Sequence, residues 1–349
     1  MNDLIDKMEK TITEHALLGR RDCVLIALSG GPDSVALLHL LDLLKVKYRI
    51  KLAAAHLDHS LRPNSAKDRK FCRRLCRNMR IRFHSRRVNV RSLAERERLS
   101  LEGGGRKARY AYLESLATKY GYDKIATGHT LDDNIETIIF NLARGSGLTG
   151  LAGIPVKRGK IIRPLIRINK DELITWLHRQ DIPFVKDPTN KSLRFARNRI
   201  RLKIVPELQR LNSAAKENIA RSSSNAAEEV EFISDMAVSA YGDAMLKAGK
   251  SKIVLDLKKL REYDTGLMKK VVQEAFRKLN RSENRLSSNS FSRILGVING
   301  RSGAKSPVGD GVFIEQSQGQ VSLFRVISRT TGMELRLPGI TEMAGSNCR

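Results

Sequence analysis

Two short apolar runs near the start of the chain, Val24 to Leu28 and residues 50–56 (IKLAAAH), are each the length of a buried strand. The first is followed by a polar turn and then by Val35, Leu38, Leu41 and Leu44 at helical spacing. The second runs into His56-Leu57-Asp58-His59-Ser60-Leu61-Arg62, and the pattern then predicts a helix from about 66 to 80 and a strand near 82–88. Helical periodicity returns at 106–120, a short strand covers Asp123 to Thr127, and a helix covers Leu131 to Ala143 with Leu131, Ile135, Ile138, Ile139 and Leu142 as its buried stripe. Strands alternating with helices predict an α/β fold with a doubly wound, Rossmann-like parallel sheet, whose ligands lie at the carboxyl ends of the strands.

Beyond Gly145 the pattern changes. The glycine-rich stretch 145–153 either caps the preceding helix or closes over a ligand. A short helix spans 170–179, Pro183, Pro188 and Asn190 mark a loop, and 196–247 reads as almost continuous helix. We divide the chain into a catalytic domain (1–212), a mainly helical domain (213–328) and the start of a further module (329–349). The second is expected to be helical to about 299 and to end in a hairpin-like pair, Gly311–Gln316 and Gln320–Arg325.

Candidate chemistry starts at Ser29-Gly30-Gly31-Pro32-Asp33-Ser34, between the first strand and its helix. That arrangement directs free backbone N–H groups and the positive helix end at one point, where phosphate can sit. Gly30 and Gly31 permit close backbone approach, and Ser29 and Ser34 add hydroxyls. Asp33 would repel phosphate unless a cation lay between them, which points to Mg²⁺. No GxxxxGK[ST] sequence occurs, so this is not the P-loop of common ATPases and GTPases.

Charge adds a partner. The chain carries 64 Lys and Arg against 37 Asp and Glu, net +27. Residues 62–109 account for net +13 and residues 191–221 for net +7, a clustering that suits a polyanion, with nucleic acid the first candidate. No apolar run approaches the roughly 18 residues of a membrane span, and the N-terminus has no apolar core of a signal peptide. Cys23, Cys72, Cys76 and Cys348 form no CxxC pair, and Cys72 and Cys76 read as small core residues, which fits a reduced, cytoplasmic setting.

Asp132, Asp133 and Glu136 share another face of the 131–143 helix, just after Gly128-His129 at a strand end. Three carboxylates on one turn repel one another, so a cation there, either Mg²⁺ or an amine substrate, would relieve the repulsion. His56, Asp58 and His59 are too few for a zinc site and are expected to shape a nucleotide pocket. Arg106, Arg109 and Tyr110 form either a solvated basic face or a phosphate clamp. Arg197, Arg199 and Arg201 around Asn198 point to RNA or triphosphate contact.

The loop SGGPDS matches the pyrophosphate loop of the N-type ATP pyrophosphatases. With HLDHSLRPNS (56–65), GRKARYAYL (105–113), GHTLDDNIET (128–137), RGSGLTGLAGI (144–154), DPTN and RNRIR (within 187–201), the chain resembles the tRNA(Ile)-lysidine synthetase family over most of residues 20–212. The resemblance implies an adenine-nucleotide α-hydrolase type fold and the ATP-dependent ligation of L-lysine to C2 of the wobble cytidine of a CAU-anticodon tRNA(Ile). It places ATP pyrophosphate on Ser29, Gly30, Gly31, Pro32, Asp33 and Ser34, with Mg²⁺ on Asp33 and His56 and Arg109 in the nucleotide site. It makes Asp33, His129, Asp132, Asp133 and Glu136 the catalytic set, with lysine on Asp133 and Glu136, and gives the second domain to tRNA. The oligomeric state is left open between monomer and homodimer. One departure is Gly103-Gly104-Gly105, which replaces the family's usual alanines and should fray that helix start by roughly 1 kcal/mol per residue. The other is at the C-terminus, where longer members carry a further domain that aids tRNA recognition. Two alternatives stand: tRNA 2-thiolation, which needs sulfur-carrying cysteines or a cluster, and a non-catalytic RNA-binding protein.

Overall fold

The structure is a computed structural model describing residues 2–60, 65–185, 193, 195–280 and 286–325. Pro188, Asn190 and the module expected at 329–349 lie outside the described residues. The chain falls into two compact units, 1–230 and 231–349.

In the first unit, helix α1 (Asn2–Glu14) leads to strand β1 (Cys23–Ala27), α2 (Pro32–Tyr48), β2 (Lys51–Asp58), α3 (Ser65–Asn78) and β3 (Arg82–Arg87). Then come α4 (Val90–Arg96), α5 (Leu101–Tyr120), β4 (Lys124–Ala126), α6 (Leu131–Ala143), α7 (Leu148–Leu151), β5 (Lys157–Arg158), β6 (Ile161–Ile162) and α8 (Lys170–Arg179). The sheet order is β3-β2-β1-β4-β6-β5, with every neighbouring pair parallel except β5–β6. β1 lies between β2 and β4 because the chain builds outward on one side and then returns to build on the other. The loops after β1 and β4 therefore leave the sheet side by side, at the switch point where such sheets bind ligands.

Burial follows the apolar pattern on both faces. Leu37, Leu38, Leu41, Cys72, Cys76 and Trp176 pack on one face, and Leu25, Ala53, Tyr112, Leu113 and Ile125 on the other. The expected stripe of α6 needs one correction, because Leu142 is 60% exposed. Gly145, at φ +72°, ends that helix, and its N–H donates to the Leu142 carbonyl. The expected fraying at Gly103–Gly105 does not occur. Ser100 caps α5 at Gly103 N–H, and a Cβ on Gly104 would lie 2.9 Å from that of Ala94. Glycine is what lets α4 and α5 pack closely there.

Helix α9 (Ala196–Arg199) passes into a π-helical turn (Ile200–Ile204) and α10 (Val205–Leu211), and then into α11 (Ala215–Ala244). The helix breaks at 212–214, where the expected boundary lies, but the first unit continues to residue 230. The reason is packing: Ile219 and Ala220 of α11 join Leu131, Ile135, Ile200 and Val205 in one apolar cluster.

The second unit holds more sheet than the sequence pattern shows. β7 (Met245–Ala248), β8 (Lys252–Asp256), β9 (Lys305–Gly309), β10 (Val312–Ser317) and β11 (Gln320–Arg325) form an antiparallel sheet ordered β7-β8-β11-β10-β9. It shares a core with α12 (Leu257–Glu262), α13 (Thr265–Asn280) and α14 (Ser288–Ile298) through Leu255, Val271, Ile294 and Ile314. The β10–β11 hairpin matches its pattern. β7 shows no alternation and β9 contains Pro307, so partners rather than local sequence make them strands. Pro307 is tolerated because β9 is an edge strand.

Candidate active site

Leu28 N–H still bonds across to the Ala55 carbonyl (2.9 Å), so the chain leaves the sheet only at Ser29. Gly30 then takes φ +91°, a backbone conformation that favours glycine. The turn is held by its own side chains. Ser34 Oγ accepts from Ser29 N–H (3.1 Å) and donates to the Gly31 carbonyl (3.0 Å), and the Ser29 and Ser34 hydroxyls lie 3.0 Å apart. Gly31 precedes Pro32 at the start of α2 with no side-chain cap, which leaves first-turn N–H groups for an anion. The loop after β4 rests on this turn at Gly128, where a Cβ would lie 2.9 Å from the Asp33 carbonyl oxygen.

Asp33 Oδ2 accepts from Lys170 Nζ at 2.7 Å, while its Oδ1 is buried without a hydrogen-bond partner. Burial raises its carboxyl above the usual range, against the opposing pull of Lys170. The sequence pattern did not single out Lys170. It lies 137 positions from Asp33, and no local spacing signals the pair.

A cleft of about 520 Å³ opens above the loop. It is lined by Ser29, Asp33 and Ser34, by His56, Asp58 and His59 at the end of β2, by Arg106, Arg109 and Tyr110 of α5, and by His129, Asp133 and Arg197. The Arg106–Arg109–Tyr110 face thus fronts the cleft, with the Tyr110 ring 5.3 Å from the guanidinium carbons of both Arg106 and Arg158. The His129 ring meets Thr127 Oγ1 at 2.9 Å, and burial with nearby Arg163, Arg106 and Arg109 lowers its pKa to about 4 against the pull of Asp133.

The three carboxylates of α6 are parted. Asp133 closes a capping box with Thr130, accepting from Thr130 N–H at 2.9 Å, and faces the cleft. Asp132 accepts from Lys216 Nζ (2.7 Å) and from Lys170 N–H (2.7 Å) at the start of α8. Glu136 is buried, lies 3.6 Å from Arg201 Nε, and is pushed up to about 7, mainly by burial. The protein's own cations and cap thus meet the repulsion that suggested a bound cation. Asp132 and Glu136 line a second cavity of about 180 Å³ with Lys170, Asp171, Arg201 and Lys216. Among the described residues no cluster of three or more His, Cys, Asp and Glu is placed to hold a metal ion.

The three arginines beyond Phe195 do not share one face. Arg197 lines the cleft and pairs with Glu102 (3.4 Å), Arg199 is exposed, and the π-helical turn brings Arg201 to Glu136. Among the described residues, α3 and the edge strand β3 carry an exposed basic surface. Residues 69–94 hold ten Lys and Arg and no acid, and Arg73, Arg74, Arg77, Arg80 and Arg86 are exposed.

A turn closed by its own serines stands at the switch point of a parallel sheet, and residues 2–208 match the family model described as the PP-loop domain, which places the chain among PP-loop ATP-binding proteins. The chain is 34% identical over 318 residues to the tRNA(Ile)-lysidine synthase of Chlorobaculum tepidum, covering 89% of this chain and 94% of that one. It is also 34% identical over 262 residues to the tRNA(Ile)-lysidine synthase of Pseudothermotoga lettingae, covering 73% of this chain and 57% of that one. The chain belongs to the tRNA(Ile)-lysidine synthase family. Among solved structures the U34-tRNA thiolase NcsA from Methanococcus maripaludis shares its fold, with a TM-score of 0.53 at 20% identity over 65% of this chain and 78% of that one.

Proposed function

We propose that the protein ligates L-lysine to C2 of the wobble cytidine of CAU-anticodon tRNA(Ile), consuming ATP and releasing pyrophosphate and AMP. One observation carries the reading beyond family membership: the turn with Asp33 and the carboxylate-bearing start of α6 front two polar cavities, and Lys170, which lines the second, donates to Asp33 at the wall of the first. In the first step the cytidine O2 attacks the α-phosphorus of ATP, and the bond from the α-phosphorus to the oxygen bridging it to the β-phosphorus breaks, so that pyrophosphate leaves with that oxygen. The Ser29–Ser34 turn receives the departing pyrophosphate on N–H and hydroxyl donors. The orphaned Oδ1 of Asp33 suits Mg²⁺, which binds through one or two carboxylates plus phosphate oxygens, and the ion would neutralise phosphate charge. Arg109 faces the nucleotide or the target base, and His56 lies in the nucleotide site.

In the second step the lysine ε-amine attacks C2, and AMP leaves carrying the former O2. Asp133 and Glu136 receive the lysine. The mixed lining of the second cavity (Asp171 and Glu136 with Lys170, Arg201 and Lys216) suits the α-ammonium and α-carboxylate of a free amino acid. The attacking amine must be neutral. At about 7 Glu136 is better matched to take its proton than His129 at about 4. The exposed arginines of α3 and β3, with Arg199, offer the tRNA backbone a basic surface, and the second unit is a further tRNA contact.

The thiolation reading lacks support at the cysteines. Cys72 and Cys76 are buried and their thiols are pushed up to about 12, far from reactive thiolates. No helix of the described residues is long and apolar enough to cross a membrane. Free Cys23, Cys72 and Cys76 support a reduced, cytoplasmic setting, and a homodimer remains open to sedimentation. The test is direct. The protein is incubated with ATP, labelled lysine and a transcript of CAU-anticodon tRNA(Ile), and the digest is examined for labelled lysidine. Label absent from RNA while sulfide supports modification would transfer the protein to thiolation.

A further inference from the structure

Lys170 opens α8, and the fold attaches it at both ends. Its backbone N–H donates to Asp132 Oδ2 at 2.7 Å, which fixes the base of the side chain. Its ammonium donates to Asp33 Oδ2, also at 2.7 Å, while the residue lines the second cavity. A flexible four-carbon stem separates the two attachments, so the ammonium can change partner without moving the helix. Among the described residues, the other cations of that cavity are Arg201 and Lys216. Each meets a carboxylate of the cavity's own wall, Glu136 at 3.6 Å and Asp132 at 2.7 Å. Lys170 differs, because its carboxylate belongs to the phosphate turn and lines the cleft.

A free amino acid brings an α-carboxylate that needs a cation. Arg201 or Lys216 could turn to it only by stranding Glu136 or Asp132, which are largely buried carboxylates. Lys170 strands nothing once another cation takes Asp33. The unpartnered Oδ1 of Asp33 is buried and suits Mg²⁺ arriving with the nucleotide. A divalent ion on one oxygen and an ammonium on the other would set three positive charges about one carboxylate, and the ammonium is the mobile one. We propose that Lys170 is an exchangeable counter-ion, paired with Asp33 until Mg²⁺ and nucleotide arrive and then turned to the α-carboxylate of the incoming lysine. The exchange makes the two substrates bind cooperatively and favours nucleotide before amino acid. The inference rests on the ATP and lysine reading above and adds the residue through which one site reports its occupancy to the other.

The test is lysine binding to the full chain by calorimetry, alone and with Mg²⁺ and α,β-methylene-ATP, which cannot be cleaved between its α and β phosphorus atoms. In wild type the nucleotide should tighten lysine about tenfold or more, as one charge-assisted hydrogen bond would, and lysine should tighten the nucleotide by the same factor. Cadaverine, which keeps both amines of the chain but has no carboxylate, should gain nothing. Lys170→Met keeps the length of the side chain without its charge, and it should bind lysine weakly and equally with and without nucleotide. Asp33→Asn should do the opposite. Its Lys170 is released from the start, so lysine should bind without nucleotide at the affinity that wild type reaches only with it. Neither misfolding nor a purely structural role produces that gain. Wild type that binds lysine equally in both conditions overturns the inference. So does coupling that survives in Lys170→Met, a matching gain for cadaverine, or an Asp33→Asn no tighter than nucleotide-free wild type. A Lys170→Met whose only defect is weaker nucleotide binding overturns it too, by assigning the ammonium to phosphate. Wild type that binds the nucleotide but no lysine in any condition would sink the lysine reading and the inference with it.

Discussion

The phosphate turn and the first turns of α6 both front the candidate site, yet they are built by opposite means. The turn of residues 29–34 closes on itself, through two serines and a glycine at positive φ within six residues. The charges of α6 depend on residues far along the chain: Asp132 is met by the backbone N–H of Lys170 and the ammonium of Lys216, and Glu136 by Arg201. A phosphate cradle needs backbone geometry, which a few adjacent residues can set. Three carboxylates within five positions need counter-charge, and only the fold can deliver it.

The largest expected effect is at the point where the two regions meet. Asp33→Asn keeps the shape of the turn but removes the carboxylate that suits Mg²⁺ and pairs with Lys170. Adenylation, followed as pyrophosphate release in the presence of tRNA, should fall about 100-fold or more, with tRNA affinity little changed. Near-normal turnover would detach Asp33 from the chemistry.

Next is Glu136→Gln. Its lysine KM should rise about tenfold or more through loss of a charged contact, and the wild-type KM should fall as pH rises through about 7, where the carboxyl ionises. Stability should move the other way. A carboxyl raised from 4.5 to about 7 holds a proton in the folded state that the unfolded state has released, so wild type loses stability as pH climbs through that window. The variant has no such loss. A melting-temperature gap that opens in its favour between pH 5 and pH 8 is the expected signature, and parallel curves would place Glu136 in a solvated setting.

Smaller effects sharpen the contrast between local and distant support. Asp132→Ala breaks an ion pair and a helix-start hydrogen bond together, and denaturant unfolding should show a loss of about 3 kcal/mol. Ser34→Ala should leave stability within about 1 kcal/mol but weaken ATP binding. Gly104→Ala sets helix propensity, a gain of about 1 kcal/mol, against a contact of 2.9 Å with Ala94. The clash should win and the variant should melt lower; a higher melting point would show that α4 gives way. Smallest is Arg199→Ala, which should lower the log–log salt slope of tRNA binding by about 0.7–0.9. Arg201→Ala should leave that slope almost unmoved, because Arg201 is turned to Glu136.

The sequence by itself determined the parallel sheet, the glycine-containing turn of residues 29–34 and α6 with its acidic face, because each is written in contiguous spacing: short apolar runs, glycines at a turn, and apolar positions three and four apart. It located the residues of the cleft by the same logic, since strand ends and the loops after them converge in this class of sheet. Only the tertiary structure decided the charge states and partners. Lys170 reaches Asp33 from 137 positions away, and a π-helical turn, invisible to a 3.6-residue period, aims Arg201 at Glu136. The glycines of α5 read locally as a weak helix start, and it is the fold that sets Ala94 of α4 against Gly104. β7 and β9 are strands because neighbours pair with them, not because their side chains alternate. Spacing along the chain sets what a segment can form locally. Desolvation, counter-charge and close approach depend on what the fold places beside it.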